Sequence, residues 1–322
     1  MKKIIKQILI ILRLFFRGLY RLFYAIPYRT YMRFFCPTIS VVNDLKFRRS
    51  ETYSPLKYYP TLKRNNKGFL KHTYKKIISF DSEHIPYVHF KGENRYLPIT
   101  IAQHGLCLYN FYINTRDKSF LFQAIKIAEW MVKNQNPKSG IWENNFDFYS
   151  DHVSTMISGP FPSAMGQSEC ISLLCRIYYE TKDTRFLNAA EYALLPFFKK
   201  TSEGGVVAFF DNMPFYEEFP TKPPSYILNG FIFSLIGLYE LYFTSENNHS
   251  NILFTNGYDT LIKILPLYDY GFTSLYCLNH YSASPRRPSI NEYYHPIHLK
   301  LLQAMNNIKR SSVLEFYINK WR

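Results

Sequence analysis

The stretch Ile101–Trp130, IAQHGLCLYNFYINTRDKSFLFQAIKIAEW, is echoed by Ala164–Phe198, AMGQSECISLLCRIYYETKDTRFLNAAEYALLPFF. Gln103 recurs as Gln167, and TRDKSFL from Thr115 recurs as TKDTRFL from Thr181. A looser third copy opens with LNGFIFSLIGLYELYFTSE at Leu228 and runs through a second helical pattern ending near Leu265. Each copy reads as a helix, a short turn and a second helix, and a period of roughly 60 to 66 residues marks a helical array. The first helix of each copy is apolar nearly all round, as an inner helix must be, while the second keeps a polar face. The expected fold class is mainly α: an incomplete α/α barrel (toroid) of helical hairpins with short β inserts, preceded by a small β-rich segment and an N-terminal amphipathic helix.

Between the hairpins lie Gly140 to Tyr149, Gly204 to Phe219 and Gly271 to Tyr281, rich in aromatic, β-branched and turn residues. They are expected to form short strands and loops gathered at one end of the ring. Binding residues concentrate on loops carried by a rigid scaffold, which directs attention to Trp142, Tyr216, Glu217, Glu218, Tyr276 and His280.

Working outward, residues 41–96 mix β-formers with Lys, Asn, Gly and Pro and read as a β-rich hairpin or cover, leaving 97–322 as the helical domain. Residues 1–40 carry eight cations, Lys2, Lys3, Lys6, Arg13, Arg17, Arg21, Arg29 and Arg33, before the first acid at Asp44. On a wheel of about 100° per residue, the cations up to Arg21 share one arc and apolar residues oppose them. The longest apolar run there, Ile8–Leu12, is far short of the roughly 20 residues that cross a bilayer. No small-residue cleavage site follows it. The segment is expected to lie on an anionic membrane surface, the competing reading being a basic helix packed on protein.

The formal charge of +15 arises from 39 Lys and Arg against 24 Asp and Glu, and much of the excess sits in that segment. No nucleic-acid recognition motif accompanies it, so nucleic acid is not an expected partner. Five cysteines, Cys36, Cys107, Cys170, Cys175 and Cys277, are odd in number and lack finger spacing, which argues against a disulfide framework and for a reducing compartment. His104, His152, His249 and His298 show no ligand spacing, so no transition metal or other cofactor is expected. Asp147 and Asp151 offer oxygens for a structural calcium without a loop pattern to hold it.

The segments PSAMGQSECIS, YEEFPTKPPSYILNGFIFSLIGLYEL, LPLYDYGFTSLYCL and EYYHPIH, in this order, resemble the C-terminal domain of the heparosan/heparan sulfate D-glucuronyl C5-epimerases. IPYVHFKGENRYLPITIAQHGL resembles the lead into that domain, so the likeness runs from about Glu83 to Trp321. The resemblance implies an incomplete α/α barrel, a homodimer, and conversion of D-glucuronate to L-iduronate within a polysaccharide. It aligns the family's YEEYP acid with Glu218, its TIYDL tyrosine with Tyr276 and its DYH tyrosine with Tyr294. Two positions depart from the pattern: Phe219 replaces a tyrosine, and Asn279 replaces an arginine that follows the TIYDL strand.

The chemistry wants two proton-handling groups on opposite faces of a sugar, because a single base would return the same epimer. A carboxyl shielded in an apolar loop has its pKa raised toward neutrality, which suits Glu218 as base, with Glu217 pushing in the same direction. A phenol near pKa 10 suits Tyr294 as acid unless a cation lowers it, for which His295, Arg286 and Arg287 are candidates. The enolate needs donors and positive charge, offered by Tyr276, His280, Asn279 and the two arginines. Trp142 and Tyr216 are candidate stacking and contact residues. Gln103 and Gln167 most simply satisfy backbone groups inside the ring, with Gln167 a candidate for a sugar hydroxyl.

Two other functions fit the same residues: a uronate polysaccharide lyase on an α/α toroid, and a non-catalytic glycan-binding protein. The basic segment differs from the lumenal, single-span arrangement of animal members. The expected location is therefore the cytoplasmic face of a bacterial inner membrane, in capsule or lipopolysaccharide synthesis, with a lumenal Golgi-type location as the alternative.

Overall fold

The structure is a computed structural model, and it describes residues 53–61, 78–90, 92–150, 155–271, 273–282 and 288–322. The basic segment 1–40, Asp151, Arg286 and Arg287 lie outside the described residues.

Four helical hairpins follow one another: α1 (Pro98–Thr115) with α2 (Lys118–Asn134), α3 (Ala164–Thr181) with α4 (Thr184–Tyr192), and α5 (Leu228–Ser245) with α6 (Asn248–Ile264). After the single turn α7 (Asn279–Ser282) come α8 (His295–Ile308) and α9 (Ser312–Lys320). The repeated turn has a physical reading. Arg116, Lys182 and Glu246 end the first helices in the left-handed region at φ 61°, 60° and 54°. Asp117, Asp183 and Asn247 then cap the second helices by accepting from the backbone N–H of Ser119, Arg185 and Ser250. Each cap satisfies a donor that the helix start leaves open and is worth about 1 kcal/mol.

The first helices pack in succession, α1 on α3, α3 on α5 and α5 on α8, and form the inner wall of an incomplete α/α barrel. On α3 every residue from Ala164 to Ile177 is buried. The outer helix α2 buries only Ala124, Ile127, Ala128 and Met131, the i, i+3, i+4, i+7 stripe of an element with one wet face. Gly237 lets α3 and α5 approach closely, since a Cβ there would overlap the Ser168 carbonyl. The core is continuous, and trimming one of its fully buried leucines, such as Leu173 or Leu235, to alanine costs about 2–5 kcal/mol.

The inserts are antiparallel hairpins: β4 (Phe148–Ser150) with β5 (Thr155–Ile157), β6 (Val207–Phe210) with β7 (Met213–Tyr216), and β8 (Leu275–Cys277) with β9 (Ser289–Ile290). All three precede an inner helix, so they crowd the end of the barrel where α3, α5 and α8 begin. Within 41–96 the described part contains one three-stranded antiparallel sheet, β1 (Ile78–Phe80), β2 (Pro86–Phe90) and β3 (Glu93–Arg95). Residues 53–61 run against the inner helices: Tyr59 exchanges backbone bonds with the Asn110 amide at 2.9 Å, and the Tyr53 hydroxyl donates to Glu240 at 3.1 Å. Cys107, Cys170, Cys175 and Cys277 are buried thiols. Among the described residues, no helix is long and apolar enough to cross a membrane.

Candidate active site

Strand β7 delivers two adjacent carboxylates to the insert end of the barrel. The Glu217 N–H donates to Val206 O at 2.8 Å, and Glu217 O accepts from Ala164 N at 3.0 Å, which stitches this segment between β6 and the start of α3. In extended chain, consecutive side chains point to opposite sides, and the two glutamates accordingly meet different surroundings.

Glu217 is completely buried and bound by its own loop. Ser225 Oγ donates to Oε2 at 2.9 Å and the Tyr226 N–H to Oε1 at 2.9 Å. Burial lifts its pKa to about 7 against the pull of these bonds. Both oxygens are occupied, so the expectation that Glu217 binds substrate is corrected: it is the latch that closes the 217–226 loop.

Glu218 keeps 6% of its surface. Its Oε2 accepts from Asn229 Nδ2 at 3.2 Å. Its pKa is lifted to about 8, chiefly by burial, with the Asn229 bond opposing and the charge of Glu217 adding. The carboxyl lies over the first turn of α5, where a Cβ on Gly230 would sit 2.6 Å from both Cβ and Oε2 of Glu218. A glycine at this position makes room for the acid.

The next residue ties this edge to the tyrosines. Phe219 stacks on Phe148 with centroids 4.6 Å apart, and together with Tyr294 it packs on the buried cluster of Ile227, Tyr276 and Cys277. Tyr276 and Tyr294 lie with centroids 4.6 Å apart. The cluster exists because β8 crosses the entry to α5, bridging Ile227 to Cys277 and donating Leu278 N–H to Tyr226 O at 3.3 Å. Tyr294 is half-buried at the N-terminus of α8. The residue after Glu218 thus packs with the two phenols on one apolar patch, while the Glu218 carboxyl itself faces Asn229 and Gly230.

Other expected site residues sit elsewhere or serve the frame. Trp142 is 2% exposed, and its indole N–H donates to Met131 O at 2.8 Å, so it has no free face for a sugar. Gln167 accepts from Trp142 N at 2.8 Å and donates to Gly140 O at 2.9 Å and Ala193 O at 3.3 Å, which is the backbone role and leaves nothing for a hydroxyl. Tyr216 is in the core, with its hydroxyl donating to Leu253 O at 2.7 Å.

His295 Nδ1 accepts from Ser274 N at 3.0 Å, which places its proton on Nε2 as donor to Trp321 O at 3.0 Å. Burial holds its pKa down, so it is a neutral brace for the C-terminus rather than a cation that would lower Tyr294. Asn279 is buried beside β8. His280 is half-buried against the Tyr281 ring with Nδ1 unpartnered among the described residues, and burial lowers its pKa. Asp147 engages the Gly159 N–H at 3.1 Å.

Three residues at this end were not singled out from the sequence: Asn229, Gly230 and Glu169. Glu169 is fully buried on α3 and accepts from Gln103 Nε2 at 2.5 Å, so Gln103 binds a carboxyl of the adjacent inner helix. The available signal was one acid in an otherwise uncharged inner-helix segment, AMGQSECISLLC.

Residues 135–322, more than half of the chain, match the family described as "D-glucuronyl C5-epimerase C-terminus". The chain belongs to this family. Glu218, Tyr276 and Tyr294 all fall inside the matched region. A D-glucuronyl C5-epimerase of Caenorhabditis elegans is 34% identical over 206 residues, covering 60% of this chain. The match takes in 33% of that relative's length, so the chain spans about a third of it. An uncharacterized protein of Methanocaldococcus jannaschii is 26% identical over 255 residues, 71% of this chain and 79% of its own. Among solved structures, a D-mannose isomerase is similar in fold, with TM-score 0.52 and 10% identity over 71% of this chain and 62% of that one.

Proposed function

We propose that the protein is a polysaccharide uronate C5-epimerase that converts D-glucuronate to L-iduronate residues within a glycan chain. The observation that supports this reading is a buried carboxyl of raised proton affinity, Glu218, followed in the chain by Phe219, which packs on the same cluster as the paired rings of Tyr276 and Tyr294.

In this mechanism Glu218, as carboxylate, takes the C5 proton from one face of the ring, and the electron pair moves into the adjacent carboxylate as an enolate. Tyr294 returns a proton to C5 from the other face, and Tyr276 donates to the developing charge. Removing a positioned acid or base costs about 10²–10⁴ in rate, and a lost enolate donor costs about 10²–10³. Burial keeps water from the Glu218 carboxyl, which is what raises its basicity. In this reading Arg286 and Arg287 are the candidate cations for the polymer's carboxylates, compensating for the arginine that Asn279 replaces.

The test is incubation with heparosan, or another glucuronate polymer, in D₂O, followed by proton NMR. Deuterium at C5 and new iduronate signals support the reading, whereas an ultraviolet-absorbing unsaturated sugar identifies a lyase instead. Binding without exchange or cleavage leaves a glycan-binding protein.

A further inference from the structure

Two inner helices carry polar groups down the barrel axis. On α3, Met165, Glu169, Ser172 and Arg176 follow at i, i+4, i+7 and i+11, and on α5 Asn229 and Glu240 are likewise eleven apart, so each set lies on one face. All are buried. At the far end the charges balance: Arg176 donates to Glu240 at 2.6 and 2.7 Å, with its guanidinium over the Tyr59 ring. At the insert end stand two carboxyls, Glu218 and Glu169.

Several buried polar atoms there lack partners among the described residues, Ser168 Oγ, Ser172 Oγ and Tyr59 Oη among them, and two are an acid oxygen and an amide oxygen: Glu169 Oε2 and Asn229 Oδ1. These two are complementary. Asn229 directs Nδ2 to Glu218 Oε2 at 3.2 Å, with Met165 sulfur 3.9 Å from the same nitrogen, and Met165 lies one turn before Glu169 on the same face. Asn229 Oδ1 must therefore accept, and a neutral carboxylic acid has one O–H to donate. Gln103 Nε2 already fills the other oxygen of Glu169. A buried polar atom without a partner costs about 1–3 kcal/mol, which favours joining the two.

We propose that Glu169 is a positioning residue: as the neutral acid it donates from Oε2 to Asn229 Oδ1, directly after a small rotation or through one water. This completes a chain Gln103→Glu169→Asn229→Glu218 in which every hydrogen points toward the base. The inference rests on Glu218 being the base of the proposed reaction. The chain fixes which end of the Asn229 amide faces Glu218, and polarisation along it strengthens the final bond to the carboxylate. Burial raises the pKa of Glu169, with the Gln103 bond opposing and the charge of Glu218 adding, which favours the neutral acid. The titratable groups facing the pair are Glu217 on the loop, Tyr59 from the 53–61 segment and Cys170 on α3, with Arg176 and Glu240 beyond Tyr59.

The test compares Glu169→Gln, which keeps a donor and an acceptor in the same shape, with Glu169→Leu, which keeps neither. The readouts are C5 exchange against pH and the titration of Glu218 by carbon-13 NMR of labelled glutamate in the full chain. Glu169→Gln is expected to stay within ~3-fold of wild type with an unmoved Glu218 midpoint. Glu169→Leu is expected to lose ~10-fold in kcat with KM little changed, and to move the Glu218 midpoint up by ~0.5–1 pH unit, about 0.7–1.4 kcal/mol. Two results overturn the proposal: a Glu218 midpoint that falls in Glu169→Gln, which would reveal a charged Glu169, or one unmoved in Glu169→Leu. Should Glu169→Leu not fold, Glu169→Gln still decides, because loss of exchange there or a shifted midpoint removes the neutral-donor role. The NMR arm needs no substrate, so an inactive wild type would remove the epimerase reading while leaving the hydrogen-bond chain under test.

Discussion

Glu217 and Glu218 are neighbours in sequence whose carboxyl groups do opposite things. Glu217 is held on both oxygens by Ser225 and Tyr226, while Glu218 takes one bond from Asn229 and keeps a sliver of exposure. One acid closes the loop and the other is presented by it.

This division separates two variants. Glu217→Ala strands the Ser225 hydroxyl and the Tyr226 N–H in a buried place and should cost about 2–6 kcal/mol, at 1–3 kcal/mol for each unmet polar group, read from urea denaturation. Glu218→Gln should leave stability within about 1 kcal/mol at pH 4, where both states largely keep the proton, and abolish C5 inversion.

The pH dependence has a definite sign. With folded pKa values of about 7 and 8 against about 4.3 in the unfolded chain, Glu217 and Glu218 keep protons that the unfolded state has lost. The unfolded state therefore binds fewer protons, and these two groups make stability fall as pH rises from about 4.5 to about 8. Thermal midpoints across that range should decline, and Glu218→Gln should flatten the decline. Exchange activity should run the other way, rising with pH through about 8 as Glu218 loses its proton. Activity already at its plateau at pH 6 would contradict the raised basicity.

Gly230→Ala is expected to uncouple helix propensity from function. Alanine favours the helix by about 1 kcal/mol, but its Cβ would sit 2.6 Å from Glu218 Cβ and Oε2, and such overpacking costs about 1–3 kcal/mol. The net stability change should be small. The displaced carboxyl should lower kcat by at least ~10-fold, because misplacing a reacting group by about 1 Å can cost 10²-fold.

The basic segment makes a separate prediction. Deleting residues 1–35 should move the protein from the pellet to the supernatant with anionic liposomes, and added salt should weaken binding of the intact chain. Unchanged pelleting would contradict a membrane role for that segment.

The hairpin array was legible because its turn is chemical: TRD and TKD place a left-handed residue before a capping aspartate, and the sequence repeats that pair. The fourth hairpin was not legible, since α8 starts from EYYHPIH and ends with Lys309 in extended conformation, without that turn. Glu218, Tyr276 and Tyr294 could be picked out through motif resemblance. The division of labour between Glu217 and Glu218 could not, because it depends on how the 217–226 loop closes. Trp142 misled for a related reason, whereas the backbone role read for Gln167 is the one it has. An aromatic in an insert reads as exposed, but here the insert bends back over α2 and buries both.

The most direct measurement is deuterium wash-in at C5, in D₂O, on a polymer containing both epimers, for wild type, Glu218→Gln and Tyr294→Phe. Wild type should label and interconvert both epimers, while each variant labels at most one and inverts neither. Folded wild type that leaves every C5 proton in place, or either variant inverting at the wild-type rate, would contradict the account.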